Sequence, residues 1–338
     1  MKFLVTGGAG YIGSHTIVEL LNAGYEVAVI DDFSNSNAET LENIKKITGK
    51  DFSFYEGDVC DKQLLNEIFK KEKIDAVIHF AGYKAVGESV EKPLMYYRNN
   101  IVSTLSLLEV MEENNVYKFV FSSSATVYGK PHTLPIKEDF PLSATNPYGQ
   151  TKLMIEQILK DLRTSSDKWD IVILRYFNPI GAHESGLIGE EPNGIPNNIM
   201  PYIMRVATGE YDKVHVFGDD YDTIDGTGVR DYIHVVDLAK GHVAALEYLK
   251  DKNGLDIFNL GTGNGYSVLQ LIDNVSEVNE VDVPYIVDDR RPGDIASCYA
   301  DPSFANEKVG WKAEKDIKDM CKDAYRFANK QKSKKIIK

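Results

Sequence analysis

The chain has 338 residues, 43% of them hydrophobic and 26% charged, a globular balance that fits one large or two ordinary domains. A net charge of −13 speaks against nucleic acid as a partner, which asks for a basic surface. Apolar runs such as 171–174 fall far short of the roughly 18 residues of a membrane span, so no membrane partner is expected.

MKFLVTGG runs directly into a glycine turn and carries no secretory pattern, so the expected location is the cytoplasm. The three cysteines, Cys60, Cys298 and Cys321, form neither a disulfide framework nor a CxxC site, and the seven histidines are scattered. No metal is therefore expected. The basic tail at 330–338 reads as a frayed terminus.

In chain order, 2–7, 25–31, 52–57, 76–82, 118–124 and 171–177 read as buried strands. Amphipathic stretches at 12–23, 62–72, 94–114 and 147–164 separate them. This alternation predicts an α/β fold with a doubly wound parallel sheet covered by helices on both faces. Turn-formers gather at 178–198 and again at 219–231, which suggests functional loops. Residues 257–265 form a strand entering a glycine turn and could return to the first sheet. The predicted division is a dinucleotide-binding domain at 1–177, joined by a returning segment near 228–262, and a smaller α/β substrate domain at 178–338.

The first strand ends in GGAGYIG, readable as Gly7-x-x-Gly10-x-x-Gly13 or Gly8-x-Gly10-x-x-Gly13. The early glycine permits a tight turn, Gly10 admits a pyrophosphate, and Gly13 lets helix and strand approach. The phosphate would sit on the free N–H groups of the helix start. Asp31 ends the second strand, 18 residues after Gly13, where an acid binds a ribose 2′-hydroxyl and repels a 2′-phosphate. No arginine precedes Arg98. The implied cofactor is NAD. Asp58, after the third strand, is a plausible adenine contact and equally a turn residue.

In NPYGQTK, Asn146 suits an N-cap, Pro147 the first helical position, and Tyr148 and Lys152 share one face at i and i+4. An ammonium and an oxidised nicotinamide both favour a phenolate, so such a tyrosine can act as a base near neutral pH. The Tyr248/Lys252 pair has the same spacing and reads as a solvated helix end. Ser124, closing FSSSATVYG, adds a hydroxyl at the carboxyl edge of the sheet, where open α/β sheets bind ligands.

TGGAGYIG, the strand-end serines and YGQTK resemble the extended short-chain dehydrogenase/reductase family. The segments 79–90, 122–129, 174–183, 194–203, 225–239 and 291–294 are similar to its UDP-hexose 4-epimerase branch, and span the chain to about residue 300. The branch implies interconversion of UDP-glucose and UDP-galactose in galactose metabolism, through a transient 4-keto sugar and with retained NAD. It also implies a homodimer, through helices such as 94–114.

By the same resemblance, Tyr148 is the base, Lys152 holds the nicotinamide ribose and lowers the tyrosine pKa, and Ser124 orients or relays the proton. Cofactor contacts fall on Tyr11, Ile12, Asp32, Asn35, Val59, Phe80, Ala81, Lys84, Asn99, Ser122 and Tyr176, beside the residues above. UDP-sugar contacts fall on Lys84, Phe177, Asn178, Asn198, Ile199, Phe217, Arg230, Arg291 and Asp294; two arginines suit a diphosphate.

Nucleotide-sugar 4,6-dehydratases of this fold carry an Asp–Glu pair where this chain has Ala125 and Thr126. That departure favours the epimerase; a dehydratase or decarboxylase is the alternative, and a non-catalytic NAD sensor a third reading. Cys298 occupies the position described in this branch as a gate, where a small residue admits an N-acetylated sugar. A one-residue slip would put Tyr299 there instead.

Overall fold

The structure is a computed structural model that describes residues 1–337 except Asn193 and Pro292, with side chains to residue 334. Seven parallel strands form the central sheet: β1 (Lys2–Thr6), β2 (Glu26–Asp31), β3 (Ser53–Glu56), β4 (Ala76–His79), β5 (Lys118–Ser124), β6 (Asp170–Tyr176) and, from much later in the chain, β10 (Leu255–Leu260). Their order, β10-β6-β5-β4-β1-β2-β3, reverses direction between β1 and β4. A doubly wound sheet opens its ligand crevice at such a switch point.

Alternation along the strands divides the core. Phe3, Val5, Val29, Ile78 and Leu174 face one layer, built on α1 (Tyr11–Asn22), α2 (Ala38–Thr48) and α8 (Val235–Lys250). Leu4, Ile30, Val77, Phe119 and Ile171 face the other, built on α3 (Lys62–Glu72), α5 (Pro93–Glu113) and α6 (Pro147–Ser165). With both faces covered, the strands are apolar on both sides along most of their length, and the polar exceptions gather towards their carboxyl ends. The short α4 (Val86–Glu91) leads into α5.

Beyond β6 a second lobe gathers round smaller sheets. β7 (Asn178–Ile180), β9 (Val229–His234), β11 (Gly265–Ser267) and β13 (Ser297–Cys298) form one, while β8 (Val214–Phe217) pairs with β12 (Tyr285–Asp288). Here α7 (Ile199–Ala207), α9 (Val268–Asn279) and α11 (Ile317–Ile337) bury Met200, Ile203, Leu271, Val275, Met320 and Cys321 together. α10 (Ser303–Val309) packs against β10 instead.

The tail corrects one expectation. As far as Ile337 it is helical: α11 continues into it, with Lys330 donating to the Ser185 carbonyl and Lys332 to that of Thr208. The helix stays wound because the buried Phe327 packs on the loop below, against Gly189.

Candidate active site

The first glycine turn is built by exclusion. Gly7 lies in the left-handed region at φ +67°, and a Cβ there would stand 2.8 Å from the Ala81 nitrogen. A Cβ on Gly13 would stand 2.4 Å from the Gly7 carbonyl oxygen, so α1 can approach the turn only with glycine there. Gly8 is crowded only by the side-chain ends of Val29 and Ile17, so the reading through Gly7 describes the firmer constraint. α1 starts at Gly10 with no side-chain cap, which leaves its first N–H groups for a ligand.

Asp31 ends β2 beside this turn. Its carboxylate accepts from Ala9 N at 2.9 Å, Phe33 N at 3.0 Å and Ser36 Oγ at 2.7 Å. Burial pushes its pKa up, against the pull of those donors. A carboxylate has about four acceptor sites, so one remains for a ribose hydroxyl. Missing Cβ atoms at the turn and a spare acceptor on Asp31 fit NAD.

A cleft of about 1030 Å³ runs from the turn across the carboxyl edge of the sheet. Every residue assigned above to the cofactor lines it, from Gly7, Asp31 and Asp58 at one end to Ser122, Tyr148, Lys152 and Tyr176 at the other. Of the residues assigned to the sugar nucleotide, Lys84, Tyr148 and Asn198 line it too.

Asn146 caps α6 by accepting from Gly149 N at 2.8 Å, which sets the helix so that Tyr148 and Lys152 face the strand end. Tyr148 is buried, and burial drives its pKa well above the ordinary phenol range. The neighbouring Tyr176 adds to that rise, while hydrogen bonding with Ser124 and the charge of Lys84 pull it down. Lys152 Nζ donates to the Ser122 carbonyl at 2.8 Å, and burial lowers its pKa to about 8. The pulls toward the phenolate come from Ser124 and Lys84.

The remaining sugar-nucleotide candidates stand in the second lobe, outside the cleft wall. Arg291 donates to Asp294 at 2.9 Å and lies 4.6 Å over the Phe217 ring. Asn178 heads β7 and pairs in register with Tyr232 of β9. Arg230 donates to the Ile295 carbonyl at 2.9 Å and pairs in register with Cys298. Ile199 opens α7. Cys298 packs on the cluster that holds Val127, Tyr128, Ile136, Phe177 and Ala300. The Tyr299 ring instead lies beside Gly265, the other side of the strand. Ser124 links the two groups, bonding with Tyr148 and accepting from Thr126 N.

Several side chains that the sequence did not single out hold this edge in place. Asn100 accepts from Tyr83 N at 2.8 Å and donates to Thr151 at 3.0 Å, clamping the loop after β4 to α6. His242 meets the Ser122 hydroxyl at 3.2 Å from α8, and burial lowers its pKa to about 4. One turn past Lys152, Glu156 accepts from Ser123 Oγ at 2.7 Å and from Arg175 Nη2 at 2.7 Å, with both ion partners almost wholly buried. None of these carries a spacing signal, since each partner lies far along the chain.

A Rossmann sheet with serine, tyrosine and lysine at its switch-point edge is the site of a short-chain dehydrogenase/reductase. A family profile described as GDP-mannose 4,6 dehydratase matches residues 4–324. The UDP-glucose 4-epimerase of Bacillus subtilis (strain 168) is 61% identical over 327 residues, covering 97% of this chain and 96% of that protein. A solved UDP-glucose 4-epimerase from Bifidobacterium longum, in complex with NAD+ and UDP, superposes with a TM-score of 0.95 at 56% identity over 98% of this chain and 99% of that one. The UDP-Glc/GlcNAc 4-epimerase of Campylobacter jejuni superposes at 0.85 with 38% identity, covering 97% of this chain and 99% of that one. The profile carries a dehydratase's description, but these relatives, matched over nearly the whole chain, are epimerases. The chain belongs to the UDP-glucose 4-epimerase family of extended short-chain dehydrogenases/reductases.

Replacing Glu156 by alanine leaves the Arg175 guanidinium buried and unpaired, a change that costs about 3–5 kcal/mol. A clear fall in the urea midpoint is expected. An unchanged midpoint would mean that the pair does not anchor the strand end.

Proposed function

We propose that the chain is an NAD-dependent 4-epimerase that interconverts UDP-glucose and UDP-galactose. The observation that carries this reading is the meeting of Tyr148 and Lys152 at the inner end of a dinucleotide cleft, with Ser124 bonded to the tyrosine. Ala125 and Thr126 follow on the strand end, so the acid–base pair of an elimination is missing there.

The hydrogen on carbon 4 of a hexose is not acidic, so simple deprotonation cannot invert that centre. Oxidation can, because a ketone is planar. NAD bound in the cleft supplies a reversible hydride acceptor. Tyr148 takes the 4-hydroxyl proton, and Ser124, bonded to it, steadies the phenolate. Lys152, a buried amine with a pKa near 8, can hold or yield a proton beside them. The 4-keto sugar then turns about its diphosphate and is reduced on its other face. UDP must stay fixed while the sugar turns, which is how remote binding energy serves the chemistry. Arg230 and Arg291 would supply the cations for this, each able to fork onto phosphate oxygens.

Incubating the purified chain with UDP-galactose, without added NAD, should yield UDP-glucose. Tyr148→Phe should lower turnover at least about 100-fold, the scale of a lost general base, while nucleotide stays bound. Full activity in that variant would end the reading, and release of water or carbon dioxide would favour the dehydratase or decarboxylase.

The small side chain of Cys298, packed on the cluster that holds Phe177, supports room for an N-acetyl group, and so a second pair of substrates, UDP-N-acetylglucosamine and UDP-N-acetylgalactosamine. Cys298→Tyr should reduce acetylated turnover far more than turnover of UDP-galactose. Equal losses would remove the gate.

The chain also assembles, on this reading, as a cytoplasmic homodimer. Val90, Leu94, Val102, Leu105 and Met154 leave an exposed apolar face across α4, α5 and α6. Sedimentation at 37.9 kDa, the mass of one chain, would contradict it.

A further inference from the structure

One carboxylate in the cleft is explained neither by the glycine motif nor by the Ser124–Tyr148–Lys152 set. Glu190 lies in the loop between β7 and α7, its side chain only 9% exposed. A single oxygen, Oε1, accepts from Lys84 Nζ at 2.9 Å and from Asn198 Nδ2 at 2.7 Å. The two donors come from opposite banks. Lys84 follows β4 in the first lobe, and Asn198 stands at the head of α7 in the second.

The loop has little freedom to drift. A Cβ on Gly189 would fall 2.5 Å from the Phe327 ring, so the backbone there is pressed onto α11. The Tyr11 hydroxyl donates to the Gly181 carbonyl at 2.7 Å and pins the start of the loop to α1. Lysine offers three N–H donors and an asparagine amide two. Sharing Oε1 uses one of each, which leaves two on Lys84 and one on Asn198 for a bound ligand. Glu190 therefore registers these two groups without exhausting them.

Its charge also bears on the groups around the reacting tyrosine. Tyr148 is faced by Ser124 of β5, Tyr176 of β6, Tyr96 of α5, Lys152 on its own helix and Lys84 across the cleft. The Lys84 charge favours the phenolate, whereas the Glu190 charge opposes ionisation of Tyr176 and of Tyr11.

We propose that Glu190 is a positioning residue that ties Lys84 to Asn198 across the cleft and thereby meters the positive charge Lys84 presents to Tyr148. This rests on the epimerase reading above. The test is the pH profile of kcat with UDP-galactose for the wild type, Glu190→Gln and Glu190→Asp. Activity rises on the acid limb as Tyr148 loses its proton. Glutamine keeps an acceptor for both donors but removes the negative charge, so the phenolate forms at lower pH. The limb should move down by roughly 0.5–1 pH unit, the scale of one nearby charge lost. Aspartate keeps the charge, and its limb should stay at the wild-type position.

A Glu190→Gln limb at or above the wild-type position overturns the proposal, as does an equal shift in both variants. A role in loop structure alone would lower kcat in both variants and move neither limb. Absence of epimerisation by the wild type would instead overturn the functional reading itself.

Discussion

The reactive edge depends on a buried ion pair. Glu156 and Arg175 meet almost wholly out of water, where either charge alone would be costly, so the two must stay together. Their geometry ties three elements. Glu156 belongs to the helix that bears Tyr148 and Lys152, Arg175 to the strand that ends in Tyr176, and Ser123, bonded to Glu156, to the strand that ends in Ser124. Arg175 reaches further, to the Tyr128 hydroxyl at 2.9 Å, which bonds Asn259 of β10. A late strand is thereby held to the serine edge. The hydroxyls of Ser124 and Tyr148 gain precision from a network of buried side chains behind them.

Precision of this kind explains how a tyrosine with an unfavourable environment can work. Burial holds the Tyr148 phenol well above its ordinary range, which suits the resting site. A positive charge arriving in the cleft would favour the phenolate most strongly in such a dry place, because low dielectric magnifies nearby charges. The environment that suppresses the base in isolation makes it responsive to what binds beside it.

Much of this was readable in advance, for local reasons. The strands announce themselves because both faces of the sheet are covered, and the glycine turn because its limits lie within a few residues. Asn146, Pro147, Tyr148 and Lys152 form one helical turn and its continuation, so spacing alone set their common face. What escaped notice is joined across distance. Glu190 looks like any acid in a turn-rich loop, and its partner Lys84 lies 106 residues away. Arg175 sits in an apolar strand with nothing nearby to name Glu156. The basic tail looked frayed because its support, the packing of Phe327 against Gly189, is tertiary. Pattern reveals elements and motifs; charge pairing across the fold needs coordinates.

The central claim is that the dinucleotide site serves a closed cycle in which nothing is released between oxidation and reduction. Label crossover tests it most directly. UDP-galactose deuterated at carbon 4 is mixed with undeuterated UDP-galactose carrying carbon-13 in the sugar ring, without added NAD. Mass spectrometry of the UDP-glucose formed should find deuterium confined to molecules that began with it and retained at carbon 4. Deuterium lost to solvent, or appearing in the carbon-13 product, would contradict the account.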